Sequence, residues 1–266
     1  MNGFQKTIKV FAIVLAITII FSIVRATLFG LSFVTDIGFE STAGKDFSEV
    51  YKNVESIDIN IASSHIVIKS GDEFKVVAND VRSSFSSKLN NGTLKIKDNK
   101  KWFINNNSSK ITIYIPKETE LDDLQIESGA GKIEIENVLV DNFDINQGAG
   151  LLRISDSRFN NVDIDGEVGA TEIFSSVLND LYLDAGVGSI DVEAKITGSS
   201  KIECGVGQIK LLLKGDESLY SIITEKGLGS IKINNERQSD NQVYGKGNNK
   251  IKVSGGVGDI SIKFDN

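Results

Sequence analysis

The stretch LDDLQIESGAGKIEIENVLVDNFDINQGAGLLRIS, residues 121–155, carries one pattern twice, nineteen residues apart. Each copy places two apolar residues at alternate positions, then a Gly-Ala-Gly corner, then two more alternate apolar residues. Alternation at period 2 is the mark of a β-strand with one buried face, so each copy reads as strand, corner, strand. The corner recurs downstream with its centre at Ala130, Ala149, Val168, Val187, Val206, Leu228 and Val257. Successive centres are 19, 19, 19, 19, 22 and 29 residues apart. Apolar residues keep register before the centre, as in Leu124 and Ile126 or Leu181 and Leu183, and after it, as in Ile133 and Ile135 or Ile260 and Ile262. Ser200, Thr171 and Thr224 are exceptions.

One such unit would bury about five apolar side chains, roughly 10 kcal/mol. Ordering its backbone costs on the order of 20–30 kcal/mol. A lone unit therefore cannot stand, and stacking, which lets each strand pair with its counterparts, supplies the missing burial and hydrogen bonds. The expected fold is all-β: a single-stranded parallel β-helix, or solenoid, with rungs of about 19 residues rising ~4.8 Å each. In this reading the residue between the two glycines joins the interior column. A third, weaker segment per rung contains Val138 and Val140, or Phe159. An earlier copy is centred on Ser63, flanked by Ile57, Ile59, Ile66 and Ile68. Phe74–Ala78, Leu94–Lys97 and Ile111–Ile115 read as further strands of a less regular start. The polar run 234–249 reads as a surface loop before the last rung.

The N-terminus is different in kind. Val10–Val24 is uncharged and follows Lys6 and Lys9. Fifteen helical residues cover roughly 22 Å, short of the ~30 Å hydrocarbon core unless the flanking charges snorkel or the span continues toward Phe33. A signal anchor would keep the N-terminus cytoplasmic and export the rest. A cleaved signal peptide, with Val24-Arg25-Ala26 as a poor cleavage site, is the alternative. The expected organisation is thus residues 1–34 as cytoplasmic tail and transmembrane helix, 35–50 as linker, and 51–266 as solenoid. Within the solenoid, 51–120 form irregular rungs or a cap and 121–266 the regular repeats. The expected location is the cell membrane, crossed once, with the C-terminal domain extracellular.

Composition narrows function. Residues 1–34 carry a local +3, so that residues 35–266 hold −10 of the total −7. That balance excludes nucleic acid as a partner, since phosphate binding needs a basic face. One His, His65, and one Cys, Cys204, leave little for nucleophilic catalysis, internal disulfides or a Cys-rich zinc site. His65 reads as a surface histidine without a nearby acid pattern, and Cys204 as a small filler equivalent to Ser128, Gln147, Gly166 and Ala185. Trp102 and Phe103 read either as a cap over the core's end or as an exposed anchor. The Gly-x-Gly pairs lack the following helix that a phosphate loop needs. Gly255–Asp259 approaches a calcium nonapeptide, but the copy is single and the Asp one place early.

One column stands out. Three residues before each centre lie Glu127, Asn146, Asp165, Asp184, Glu203, Glu225 and Ser254. Between two inward positions, they should face outward and stack, with like charges ~5 Å apart repelling by roughly 0.8 kcal/mol even in water. Two readings remain open: a solvated acidic face softened by Lys201 and Lys252, or a shallow site where Ca²⁺ bridges Glu127, Asp165, Asp184, Glu203 and Glu225.

The stretch ITIYIPKETELDDLQIESGAGKIEIENV, residues 111–138, resembles a bacterial family of "putative adhesins" with β-strand repeats and largely undefined function. A strand ending in Pro116-Lys117, a short Leu-rich link and repeated strand-Gly-x-Gly-strand units carry the resemblance. It implies an exported, envelope-associated solenoid and supplies no catalytic residues. The expected function is non-catalytic: binding, adhesion or scaffolding at the bacterial envelope, toward cell-wall or host glycan or protein. The alternative is an envelope-stress sensor acting through a membrane regulatory protein. A polysaccharide lyase or hydrolase would need clustered acids under long loops, whereas this acidic ladder is regular.

Overall fold

Alternating Ile, Leu and Val on either side of a small-residue corner bend each repeat around one continuous core. In the computed structural model, residues 44–98 and 109–265 are described. Trp102, Phe103 and the expected transmembrane segment lie outside them. Among the described residues no helix is long and apolar enough to cross a membrane.

Chain order begins with β1 (Lys45–Tyr51), β2 (Ser56–Gly71), β3 (Phe74–Val81), β4 (Ser86–Asn90), β5 (Thr93–Asp98) and β6 (Lys110–Pro116). Five long strands follow: β7 (Glu120–Glu136), β8 (Leu139–Ser155), β9 (Arg158–Asn179), β10 (Leu181–Thr197) and β11 (Ser199–Lys214). After a 3₁₀ turn come β12 (Tyr220–Leu228), β13 (Ile231–Ile233), β14 (Glu236–Arg237), β15 (Val243–Gly245), β16 (Asn249–Val257) and β17 (Ile260–Asp265). The fold is all-β and solenoid-like. β7 to β11 pair in parallel, each residue opposite the one nineteen later, as in Ile126↔Ile145 and Ile145↔Ile164. Ser175 is bulged out of the β9–β10 ladder, where the offset falls to eighteen. Leu124, Ile126, Ile133, Ile135 and their equivalents are buried, as are Val138, Val140 and Phe159 of the third segment. Phe143 and Phe159 stack there with ring centroids 4.7 Å apart. Thr171, Ser200 and Thr224 are buried too, and Ser200 Oγ accepts the Leu181 N–H at 3.1 Å.

Sequence order and spatial order part company at both ends. β2 lies between β7 on one side and β5 with β6 on the other, so Ser63 sits opposite Ala130 while later strands stack outside it. At the far end β16 and β17 lie between β11 and the β12–β13 coil. The last coil in sequence is therefore the last but one in space, which corrects the expectation that consecutive coils lie directly atop one another. Antiparallel strands close both ends: β3 on β6, β1 on β3 and β4 on β5 at one, β15 on β12 and β14 on β13 at the other. The run 234–249 is thus part edge strand rather than loop alone, and β1 begins inside the stretch expected as linker.

The corner also differs from expectation. Val168, Val187, Leu228 and Val257 are 55%, 45%, 46% and 42% exposed, so the central residue projects outward. The following glycine explains why: Gly131, Gly150, Gly169, Gly188, Gly207, Gly229 and Gly258 have φ between 137° and 152°. That backbone, open to glycine, resets the alternation, so positions two before and three after the centre both point inward.

Candidate functional site

The column three places before each corner stacks as its spacing requires. Along the stack it runs Asn60, Glu127, Asn146, Asp165, Asp184, Glu203, Ser254, Glu225. Because of the coil exchange, Glu225 neighbours Ser254 rather than Glu203. Inward neighbours on both sides hold each residue's backbone, and the alternation turns its side chain to solvent.

The column walls an open groove. Its first part, about 680 Å³, runs past Asn60, Glu127, Asn146, Asp165 and Asp184, opposite Gly129, Gly148, Glu167 and Gly186. Its continuation, about 620 Å³, passes Asp184, Glu203, Ser254 and Glu225 and meets Asp240 and Asn241 from the run before β16. The glycines leave the far side of the groove with little more than backbone.

Charge along the ladder is uneven. Lys201 pairs with Glu203, and Lys252 Nζ lies 2.9 Å from Glu225. Asn60 donates to Glu127, Asn146 Nδ2 donates to Asp144 at 3.2 Å, and Ser254 Oγ donates to Glu225 at 3.4 Å. The negative centre is the Asp163, Asp165 and Asp184 group. Burial, then Glu203 and Asp165, raise the Asp184 carboxyl above the usual range. Burial, then Asp165 and Asp144, raise Asp163 likewise. Among the described residues no three His, Cys, Asp or Glu side chains converge in a way that could hold a metal ion. The ladder therefore presents carboxylates singly, layer by layer.

His65 is not without an acid: its Nε2 lies 2.5 Å from Glu134, which Lys132 also approaches at 2.5 Å. Burial raises the Glu134 carboxyl, but the hydrogen bonds from Lys132 and His65 outweigh it and hold the group below its usual range. Both lie on the opposite limb of the coil from the groove. Cys204 is buried, 3% exposed, and burial pushes its thiol upward, which fits a filler rather than a nucleophile. Asp259 closes its corner by accepting from the Ser230 N–H and hydroxyl at 2.8 and 2.7 Å. What the sequence reading missed is the exposed ridge Val168, Val187, Leu228 and Val257, whose signal was the glycine on either side of most centres.

The profile of the family described as Toastrack DUF4097 matches residues 54–263. No curated protein matches the chain. Among solved structures, a "putative adhesin" of Bacteroides fragilis is 20% identical, with a TM-score of 0.43, over 82% of this chain and 97% of that one. A "putative cell adhesion protein" of Clostridium sporogenes is 16% identical, with a TM-score of 0.39, over 83% and 99%. A "putative lipid binding protein" of Parabacteroides distasonis is 18% identical, with a TM-score of 0.40, over 84% and 97%.

Proposed function

Since the chain belongs to the Toastrack DUF4097 family over nearly all of its coil stack, we propose that the stack is a non-catalytic binding or scaffolding surface. In this reading it is held outside the cell by the N-terminal segment and engages its partner along the acidic groove. One observation carries it: the groove is open and repeats one kind of contact layer after layer, from Glu127 through Asp165 and Asp184 to Glu203. Catalysis needs unlike groups brought together in one place, whereas a repeated wall suits an extended partner bearing positive charge. The uncharged run Val10–Val24 behind Lys6 and Lys9 supports the anchored placement.

The test is retention of the full chain on cell-wall and host-matrix fractions at low salt. Neutralising the centre with Asp165→Asn and Asp184→Asn is expected to weaken retention about tenfold, with folding unimpaired. Equal retention by the variant removes the groove from the binding site. Turnover of an acidic polysaccharide that disappears with Asp165→Ala and Asp184→Ala would make the protein an enzyme instead.

A further inference from the structure

Corner centres Val206 and Leu228 are 22 residues apart where the preceding ones are 19 apart. The structure shows what the extra three residues do. β11 ends at Lys214, and the segment from Gly215 to Leu219 carries the chain past one layer before β12 pairs. Glu217–Leu219 in that segment form a 3₁₀ turn, and three such residues rise roughly 6 Å, enough for one added layer of ~4.8 Å. In the stack the β12–β13 coil therefore stands two layers from β11, with a slot one coil wide between them.

Residues 249–265 fill that slot later in sequence. They ladder with β11 on one side, as in Ile202↔Val253 and Ile209↔Ile260, and with the β12–β13 coil on the other, as in Ile222↔Ile251 and Ile231↔Ile260. The fit is close. Ile251, Val253, Ile260 and Ile262 are at most 1% exposed. A Cβ on Gly258 would lie 1.6 Å from the Gly207 carbonyl oxygen. The slot thus selects an incoming segment by the coil's own pattern of alternate apolar residues and a Gly-x-Gly corner.

The filler is joined to β13 only through residues 234–248, whose two edge strands span two and three residues. Fifteen residues reach roughly 50 Å when extended. The nine layers of the described residues are eight steps of ~4.8 Å, about 38 Å, so the connection is long enough to leave its own stack. A second copy offers an identical slot with identical walls. We propose that this layer is a strand-acceptor site, and that residues 249–265 exchange between two copies of the chain to give a dimer with swapped C-terminal coils. Every contact inside the slot is the same in either arrangement. Concentration during folding decides between them, because entry into a finished stack would require parting two ladders.

Cys204, the chain's single cysteine, provides the test, because it lies directly opposite Gly255 in the β11–β16 ladder. Neighbouring strands stand ~4.8 Å apart, within the span that a disulfide bridges. A full-length chain carrying C204A and G255C is unfolded together with the natural chain, the mixture is refolded under reducing conditions, and an oxidant is added only once folding is complete, when Cys204 is buried. Neither can close a bond within itself, so a covalent dimer of the two forms only if the coil of one sits beside β11 of the other. The expected result is that dimer, its ratio to monomer rising about tenfold for each tenfold rise in concentration. Chains folded separately and then mixed are expected to show no such band. If it never forms, while G255C alone closes its bond to Cys204, exchange is ruled out. If the added cysteine prevents folding, the natural chain decides: two mass-labelled preparations refolded together must give dimers carrying both labels that persist on dilution. Monomer at every concentration overturns the proposal.

Discussion

Gly188 has φ of 152°, and a Cβ built on it would lie 1.7 Å from the carbonyl oxygen of Gly169 in the adjoining coil. The same conflict repeats along the column, at 1.8 Å for Gly150 against Gly131 and 1.6 Å for Gly207 against Gly188. Backbone meets backbone there, so no rotamer change relieves it. Gly188→Ala is expected to cost about 3–5 kcal/mol in denaturant unfolding of the full chain. Gly166 makes the useful contrast. It occupies the inward column between Gln147 and Ala185, and a Cβ there meets only the Asp184 carbonyl oxygen at 3.9 Å. Gly166→Ala is expected to stabilise by about 0.5–1 kcal/mol, because it removes freedom from the unfolded chain and fills open space. Two glycines three residues apart should therefore respond with opposite sign when Gly169→Ala is measured beside Gly166→Ala.

At the scale of the strand, the acidic column stores repulsion. Asp184 binds its proton more tightly in the folded chain than in the unfolded one, because burial, Glu203 and Asp165 all disfavour its charge. The contribution is thus lost as pH rises from the ordinary value of 3.8 through the raised folded value, and it stays unfavourable at neutral pH. Asp184→Asn should raise Tm by about 2–4 °C at pH 7 and low salt, converging with the natural chain below pH 3.8. Sodium and calcium chloride at equal ionic strength should raise Tm of the natural chain equally; a larger shift with calcium would mean cation bridging between layers. This ladder was legible in the sequence because its residues sit between inward positions at a fixed spacing. The ridge of Val168, Val187, Leu228 and Val257 was not, because carrying period 2 across the corner puts those residues inside. Only the left-handed glycine after each centre breaks that count, and a glycine's φ is not written in its one-letter code.

For the whole molecule, nineteen-residue spacing specified neighbours wherever it held, from β7 to β11, and said nothing about order where it failed. Every coil presents the same apolar template, so the faces cannot say which coil lies on which; only the spacings of 22 and 29 mark the exchange of the last two. That order has a measurable consequence in amide hydrogen exchange. A stack whose layers touch only their neighbours loses protection from its ends inward. If sequence order ruled, β16 and β17 would form the outermost coil and exchange first. In the structure they carry ladders on both sides, to β11 and to the β12–β13 coil. The outer coil has far less: β12 pairs outward with β15 only over Ser221–Ile223, and β13 with β14 only over Lys232–Ile233. Amides of Ile251–Val253 and Ile260–Ile262 should therefore exchange at least about tenfold more slowly than those of Thr224–Leu228, a difference of ~1.4 kcal/mol in local opening. Faster exchange of the C-terminal segment would place it at the end of the stack, and the slot between β11 and β12 would then not exist in solution.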